Sequence, residues 1–165
     1  MSEKSTLNIE NFHLPRWNEL PSIDLYLDQV VNFVNSTLSP YILTANKKEQ
    51  LLTKTMINNY VKNNLIYAPF KKQYTKKHLA KLFVICVLKQ VYSMQEINNI
   101  VRIVLKDTKM SNAYNTFCEL FEEALRCTYN KTEFMNVNAD DEKTYLIKCV
   151  LLSCSYKIYA RNVTL

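Results

Sequence analysis

Five side chains between Lys54 and Lys62 fall at positions i, i+1, i+4, i+5 and i+8: Lys54, Thr55, Asn58, Asn59 and Lys62. On an α-helix this spacing gathers them on one side. Asparagine can pair bidentately with the exposed edge of adenine in the major groove of DNA. Lysine and threonine are phosphate ligands. The segment that follows adds Lys71, Lys72, Gln73 and Tyr74. The candidate site is therefore Lys54, Thr55, Asn58, Asn59, Lys62, Lys71, Lys72 and Tyr74, and the partner these residue types suit is double-stranded DNA. Each has a plainer reading beside this one. The lysines can form a solvated face, one asparagine can bond a neighbouring loop, and Tyr74 can belong to the core. Tyr67 and Phe70 either tip the loop or cover the core, whereas Tyr60 reads as a core residue.

Charge supports the sharper reading. The chain of 165 residues carries +6, but no Asp or Glu occurs between Gln50 and Gln95. That stretch holds eight lysines (54, 62, 71, 72, 76, 77, 81 and 89) and so carries +8, leaving the remainder at −2. One strongly basic block in a mildly acidic chain is the footprint of a polyanion partner.

Other chemistry finds little support. The chain contains no glycine, where about 12 would be expected from average usage. Phosphate loops, dinucleotide turns and nucleophile elbows all need glycine where the backbone must reach positive φ or touch a ligand. His13 and His78 are the only histidines, and neither has metal-ligand spacing to a cysteine. Cysteines 86, 118, 127, 149 and 154 are odd in number and include no CxxC pair, so they read as buried thiols in a reducing cytoplasm. Glu119, Glu122 and Glu123 read as a solvated helix face. No titratable pair is spaced for acid–base or nucleophilic work, so the expectation is a protein that is not an enzyme, with no catalytic residue, metal or cofactor. The longest apolar run, Leu82–Leu88, is too short to span a membrane.

The elements that would position the site follow from periodicity and capping. Residues 1–21 read as an N-terminal arm in which Trp17 packs on the domain. Ser22 is a candidate cap for a helix ending before Pro40, with Ile23, Leu27, Val30, Val31, Val34 and Leu38 on its apolar face. Residues 41–52 connect, with a short helical turn around Lys47–Leu51. Thr53 caps the helix that carries the asparagines. This helix stops at Asn63-Asn64, where Asn64 should take positive φ in place of the missing glycine. Residues 66–74 form a loop or small β-wing. Thr75 opens a helix to about Gln90, and Ser93 with Glu96 forms a capping box for another to Leu105. Two more helices are expected, over about 112–128 and from Asp140, Asp141 and Glu142 to about Ala160, separated by a polar loop over 129–139.

The segment LTKTMINNYVKNNLI, residues 52–66, resembles the recognition helix of MerR-type regulators. PFKKQYTKKHLAKLFVICVLKQVYSMQEI, residues 69–97, resembles their wing, third helix and fourth-helix start. The stretch is still more similar to a family of uncharacterised bacterial proteins with a MerR-like helix-turn-helix, through Leu25, Tyr26, Gln29 and Val30 and the TMINNYVK core. The resemblance covers about residues 14–105. The helical pattern gives an all-α class in three parts: the arm 1–21, a domain 22–105 that the resemblance makes a winged helix-turn-helix, and a C-terminal helical segment 106–165, of which the resemblance says little. The resemblance implies a transcriptional regulator that places residues 53–63 in the major groove and sets Lys72 and Tyr74 against the DNA backbone. The long connection before Thr53 and the missing glycine at Asn64 depart from the MerR pattern.

The last helix has almost no polar face, so it must lie centrally or between chains. With 112–128 it is a candidate dimerisation element, and a homodimer is the expected state of a reader of palindromic DNA. The alternative is a helical protein–protein module on the same scaffold without DNA binding. The sequence names no small-molecule effector.

Overall fold

A computed structural model describes residues 8–46, 48–134 and 141–165. Among them lie six α-helices: α1 Leu27–Leu38, α2 Lys54–Lys62, α3 Lys76–Leu88, α4 Met94–Leu105, α5 Met110–Asn130 and α6 Glu142–Thr164. Two short strands, β1 Leu25–Tyr26 and β2 Gln73–Tyr74, pair antiparallel with Leu25 opposite Tyr74 and Tyr26 opposite Gln73. The fold is mostly helical, with this one small sheet among the described residues.

Helix α3 is the centre. Nine of its thirteen residues are buried, and Phe83, Leu79, Leu82, Ile85 and Leu88 are almost wholly so. The last helix, expected from its apolar sequence to lie centrally or between chains, does not take the central place. Its buried face is Val150, Leu151, Cys154, Ser155 and Ile158, while Tyr145 and Tyr156 stand more than half exposed. Tyrosine suits such positions because its hydroxyl stays wet while its ring covers apolar surface. Helices α5 and α6 lie side by side in the same direction. Lys143, in the first turn of α6, reaches Thr108 just before α5, and Tyr159 near the end of α6 meets Tyr129 near the end of α5.

Two helix starts follow the sequence closely. The Oγ of Thr53 accepts from the N–H of Met56 to open α2, and Ser93 with Glu96 closes a reciprocal capping box on α4. Helix α1 does not begin at Ser22. Leu25 and Tyr26 are drawn into the sheet, and the helix starts after them with the Gln29 side chain accepting the Tyr26 N–H at 2.9 Å. Ile23 is left 71 % exposed and outside the helical face assigned to it.

The end of α2 is set by Asn64, with φ 58°. The N–H of Leu65 donates to the Tyr60 carbonyl at 2.9 Å, and that of Asn64 to Val61 at 3.1 Å. This is the paired bonding of a helix closed by a left-handed residue. It tucks Leu65 and Ile66 into the core, together with Ile57 and Tyr60 from the inner face of α2. Truncating Ile57 to alanine there costs about 2–5 kcal/mol.

The connection from α1 to α2 is held at both ends. The Asn35 side-chain amide donates to the Leu52 carbonyl at 2.7 Å and accepts the Leu52 N–H at 3.0 Å, standing in for a β-ladder pair. From α6, Asn162 donates to the Tyr41 carbonyl at 2.8 Å. Arg161 donates to the Leu43 carbonyl at 3.2 Å and to the Gln90 side chain at 2.5 Å. Of the helical turn expected around Lys47–Leu51, Lys47 lies outside the described residues, and Lys48–Leu51 is turn and bend without helix. Asp140 of the expected α6 start, and 135–139 of the expected polar loop, also lie outside them.

The N-terminal arm is part of the core. Phe12 and Leu14 are buried, and Trp17 packs edge-on against Tyr114 at 6.4 Å. Glu122, read from sequence as a solvated residue, is buried beneath this arm. It accepts from the Leu14 N–H at 3.2 Å and from the Arg16 guanidinium at 2.5 Å. Burial opposes the charge of Arg16, but the hydrogen bond and charge of Glu122 outweigh it and hold its pKa above the ordinary value.

Candidate nucleic-acid interface

Lys54, Thr55, Asn58, Asn59 and Lys62 are all exposed and share the outer side of α2, opposite Ile57 and Tyr60. With a rise of about 1.5 Å per residue the stripe is on the order of 12 Å long. Lys54 forms an ion pair with Asp28 on α1, and the charge of Asp24 acts on His78, while no Asp or Glu occurs within α2 or residues 66–74.

Within residues 66–74 a tight hairpin turn is closed by one isolated bridge, Phe70 opposite Gln73, while β2 takes its ladder partner from β1. The Gln73 N–H donates to the Phe70 carbonyl at 2.9 Å across a two-residue tip, Lys71-Lys72. Both tip residues have positive φ, 48° and 62°. That is the backbone of the tightest hairpin turn, which normally carries Asn-Gly because side chains crowd the left-handed region. Here the two residues are lysines, and both are exposed. Non-glycine residues held in this region are strained and cluster at functional sites.

The hairpin is pinned from behind by His78. Its Nδ1 accepts from the Thr75 N–H at 2.9 Å, so Nε2 carries the proton and donates to the Tyr67 carbonyl at 3.1 Å. One imidazole thus caps α3 and holds the hairpin base. Burial pulls its pKa below the usual histidine value, against the opposing pull of the Tyr67 and Ala68 carbonyls. The sequence reading treated His78 only as a non-ligand. Its spacing of three from Thr75, with histidine where Glu or Gln completes a capping box, was the available signal.

The two patches meet through the start of α1. Tyr26 pairs with Gln73 behind the hairpin tip, and Asp28, two residues on, pairs with Lys54. Seven of the eight sequence-predicted residues are exposed on this surface. Tyr74 is the exception and is corrected here. It is 3 % exposed, and its ring lies edge-on to His78 at 5.2 Å. Strand pairing turns it inward, so it supports the hairpin from within and offers no surface contact. Phe70 and Tyr67, left undecided by the sequence, are about three-quarters exposed. Lys71 lies over the Phe70 ring at 5.4 Å and Lys81 over the Tyr67 ring at 4.9 Å.

Electrostatics at two helix starts point the same way. The first turns of α2 and α3 contain no acid, and they carry Lys54, Lys76 and Lys77. Cations there oppose the helix dipole by about 0.3–1 kcal/mol each at exposed positions. The starts of α4 and α6 carry Glu96 and Glu142, as stability alone would favour.

Of the five cysteines, 86, 118 and 154 are buried, Cys127 is half-buried and Cys149 is exposed. Burial pushes the thiols of Cys86 and Cys154 up to about 12 and that of Cys118 to about 11, so these three are inert at neutral pH. Among the described residues no His, Cys, Asp or Glu cluster is placed to hold a metal ion, and no helix is long and apolar enough to cross a membrane.

The geometry defines a mostly helical domain with one short sheet and one continuous basic, acid-poor surface. Residues 15–121 match a family model described as a domain of unknown function, DUF1836, and the chain belongs to that family. The match runs from the arm into α5, beyond the 14–105 that the sequence resemblance covered. No curated protein and no solved structure matches the chain.

Proposed function

We propose that this protein binds double-stranded DNA and acts as a transcriptional regulator on a winged helix-turn-helix plan. Helix α2 enters the major groove with Asn58 and Asn59 facing base edges. Lys54, Thr55 and Lys62 flank them on phosphates, and Lys71 and Lys72 at the hairpin tip grip the backbone beside the groove. The observation that carries this reading is the strained Lys71-Lys72 turn beside an acid-poor helix face. Stability alone favours Asn-Gly in such a turn, and a polyanion gives a reason for two lysines. The domain acts as a homodimer through α6, where Tyr145, Cys149 and Tyr156 are exposed at spacings of four and seven, the period of a helix–helix seam.

The test is fluorescence anisotropy with a labelled random duplex across a salt series. Four lysine–phosphate contacts give a log–log slope near −3.6, from roughly −0.9 per phosphate. Selection from a random pool should then enrich an inverted repeat. No binding at low salt would overturn the reading. A second reading is favoured by Phe70 and Tyr67, which are exposed beside the lysines. Apolar side chains at the tip suit a protein partner, and salt-insensitive capture of such a partner would support it.

A further inference from the structure

A half-open cavity of about 270 Å³ lies between α3, α4, α5 and α6. Its walls are apolar: Val84 and Leu88 from α3, Val101 and Leu105 from α4, Phe117 from α5 and Ile147 from α6. Five of these, Val84, Val101, Leu105, Phe117 and Ile147, are only partly buried. The volume is near the lower end of small-molecule sites, which are mostly apolar with a few placed polar groups.

The polar groups here have one sign. Lys81 and Lys143 line the cavity with Thr108 and Thr116, and no Asp or Glu does among the described residues. Lys143 donates to the Thr108 hydroxyl at 2.9 Å. Among the described residues no carboxylate forms a salt bridge with either ammonium; the charge of Lys143 acts on Asp141 at the start of α6, whereas Lys81 has no such carboxylate. Lys81 is half-buried, and desolvation pulls its pKa below the ordinary lysine value. A cation drawn out of water without a counter-charge is relieved by an anion brought to it.

We infer that this cavity binds a small amphiphile with an apolar body and one carboxylate head, the chain lying among the four helices and the head between Lys81 and Lys143. The threonine hydroxyls supply neutral donors to the same head. Lys81 has a second role in the geometry. It lines the cavity and its ammonium also lies over the Tyr67 ring, so it is the residue shared by cavity and hairpin. The assignment does not depend on duplex binding, and its assay contains no nucleic acid.

Trp17 is the single tryptophan, and its ring packs on Tyr114, which lines the cavity. Titration of the full chain with octanoate, 1-octanol and octylamine, followed by Trp17 fluorescence and by calorimetry, tests the inference. Octanoate should bind saturably and at least ten-fold more tightly than the alcohol, with the amine weakest. Lys81→Gln with Lys143→Gln should abolish the preference for octanoate over octanol. Val84→Phe, which fills volume without touching charge, should weaken all three alike. Equal affinity for the three head groups, or no calorimetric binding of octanoate, would overturn the inference. Retention of the octanoate preference in the double variant would overturn the role of the lysines.

Discussion

Replacing Lys71 by Asn and Lys72 by Gly should make the protein more stable and a weaker ligand for DNA at once. Both lysines sit at positive φ, 48° and 62°, in a turn whose preferred pair is Asn-Gly. A side chain in the left-handed region costs roughly 1–2 kcal/mol, most of which glycine removes and asparagine reduces. The double variant should therefore gain about 1–2 kcal/mol. With a urea dependence of about 1–3 kcal/mol per molar, the unfolding midpoint should rise by roughly 1 M. Two phosphate contacts are lost, so the log–log salt slope should flatten by about 1.8. Between 50 and 200 mM salt the wild type would then lose roughly 12-fold more affinity than the variant. Urea unfolding followed by circular dichroism gives the first quantity, and anisotropy with a random duplex gives the second. A lower midpoint would refute the strain. A raised midpoint with an unchanged slope would refute the contact with phosphate.

Asn64→Ala should destabilise by about 1 kcal/mol, while Asn64→Gly should be neutral or slightly stabilising, because only the alanine is penalised at φ 58°; equal urea midpoints for the two would contradict this. The His78 pKa is depressed in the fold, so the unfolded chain binds its proton first. Its stabilisation is complete above the ordinary value of 6.5 and is lost as pH falls below it toward the folded value. His78→Gln should remove that pH dependence from unfolding free energies measured between pH 5 and 8, and a dependence unchanged in the variant would point to another group. Ser155 is fully buried and its hydroxyl has no hydrogen-bond partner among the described residues, so Ser155→Ala should gain about 1 kcal/mol in thermal unfolding, and a loss of that size would reveal a hidden partner. Asp28→Asn frees Lys54 and should raise duplex affinity several-fold at low salt, with a stability change below about 1 kcal/mol because the pair is exposed; unchanged affinity would remove Lys54 from the interface.

What was legible in the sequence was local. Thr53, Ser93 and Asn64 act within a few residues of their partners, and their caps and stop fall where residue type alone puts them. The outer face of α2 was legible for the same reason, since helical periodicity needs no knowledge of the rest of the chain. The misses share a cause in long-range partners. The start of α1 moved because Tyr26 pairs with Gln73. Tyr74 turned inward because that pairing fixes which face it occupies. Glu122 is buried because the arm, more than a hundred residues earlier, brings Arg16 and the Leu14 N–H to it. The apolar sequence of α6 overstated its burial, because hydrophobicity counts do not tell a tyrosine with a wet hydroxyl from a core residue.

The contacts of Asn162 and Arg161 with residues 41–43 bear on how the protein is made. During synthesis α2 emerges from the ribosome long before the side chains that fix the approach to it. Until residue 162 is out of the exit tunnel, the segment leading into α2 lacks its bonds from α6. A nascent or prematurely terminated chain would carry every residue of the basic surface without the frame that aims it. The clamp therefore ties assembly of the surface to the emergence of residues 161 and 162, far behind α2, and a chain cut before them would lack this frame.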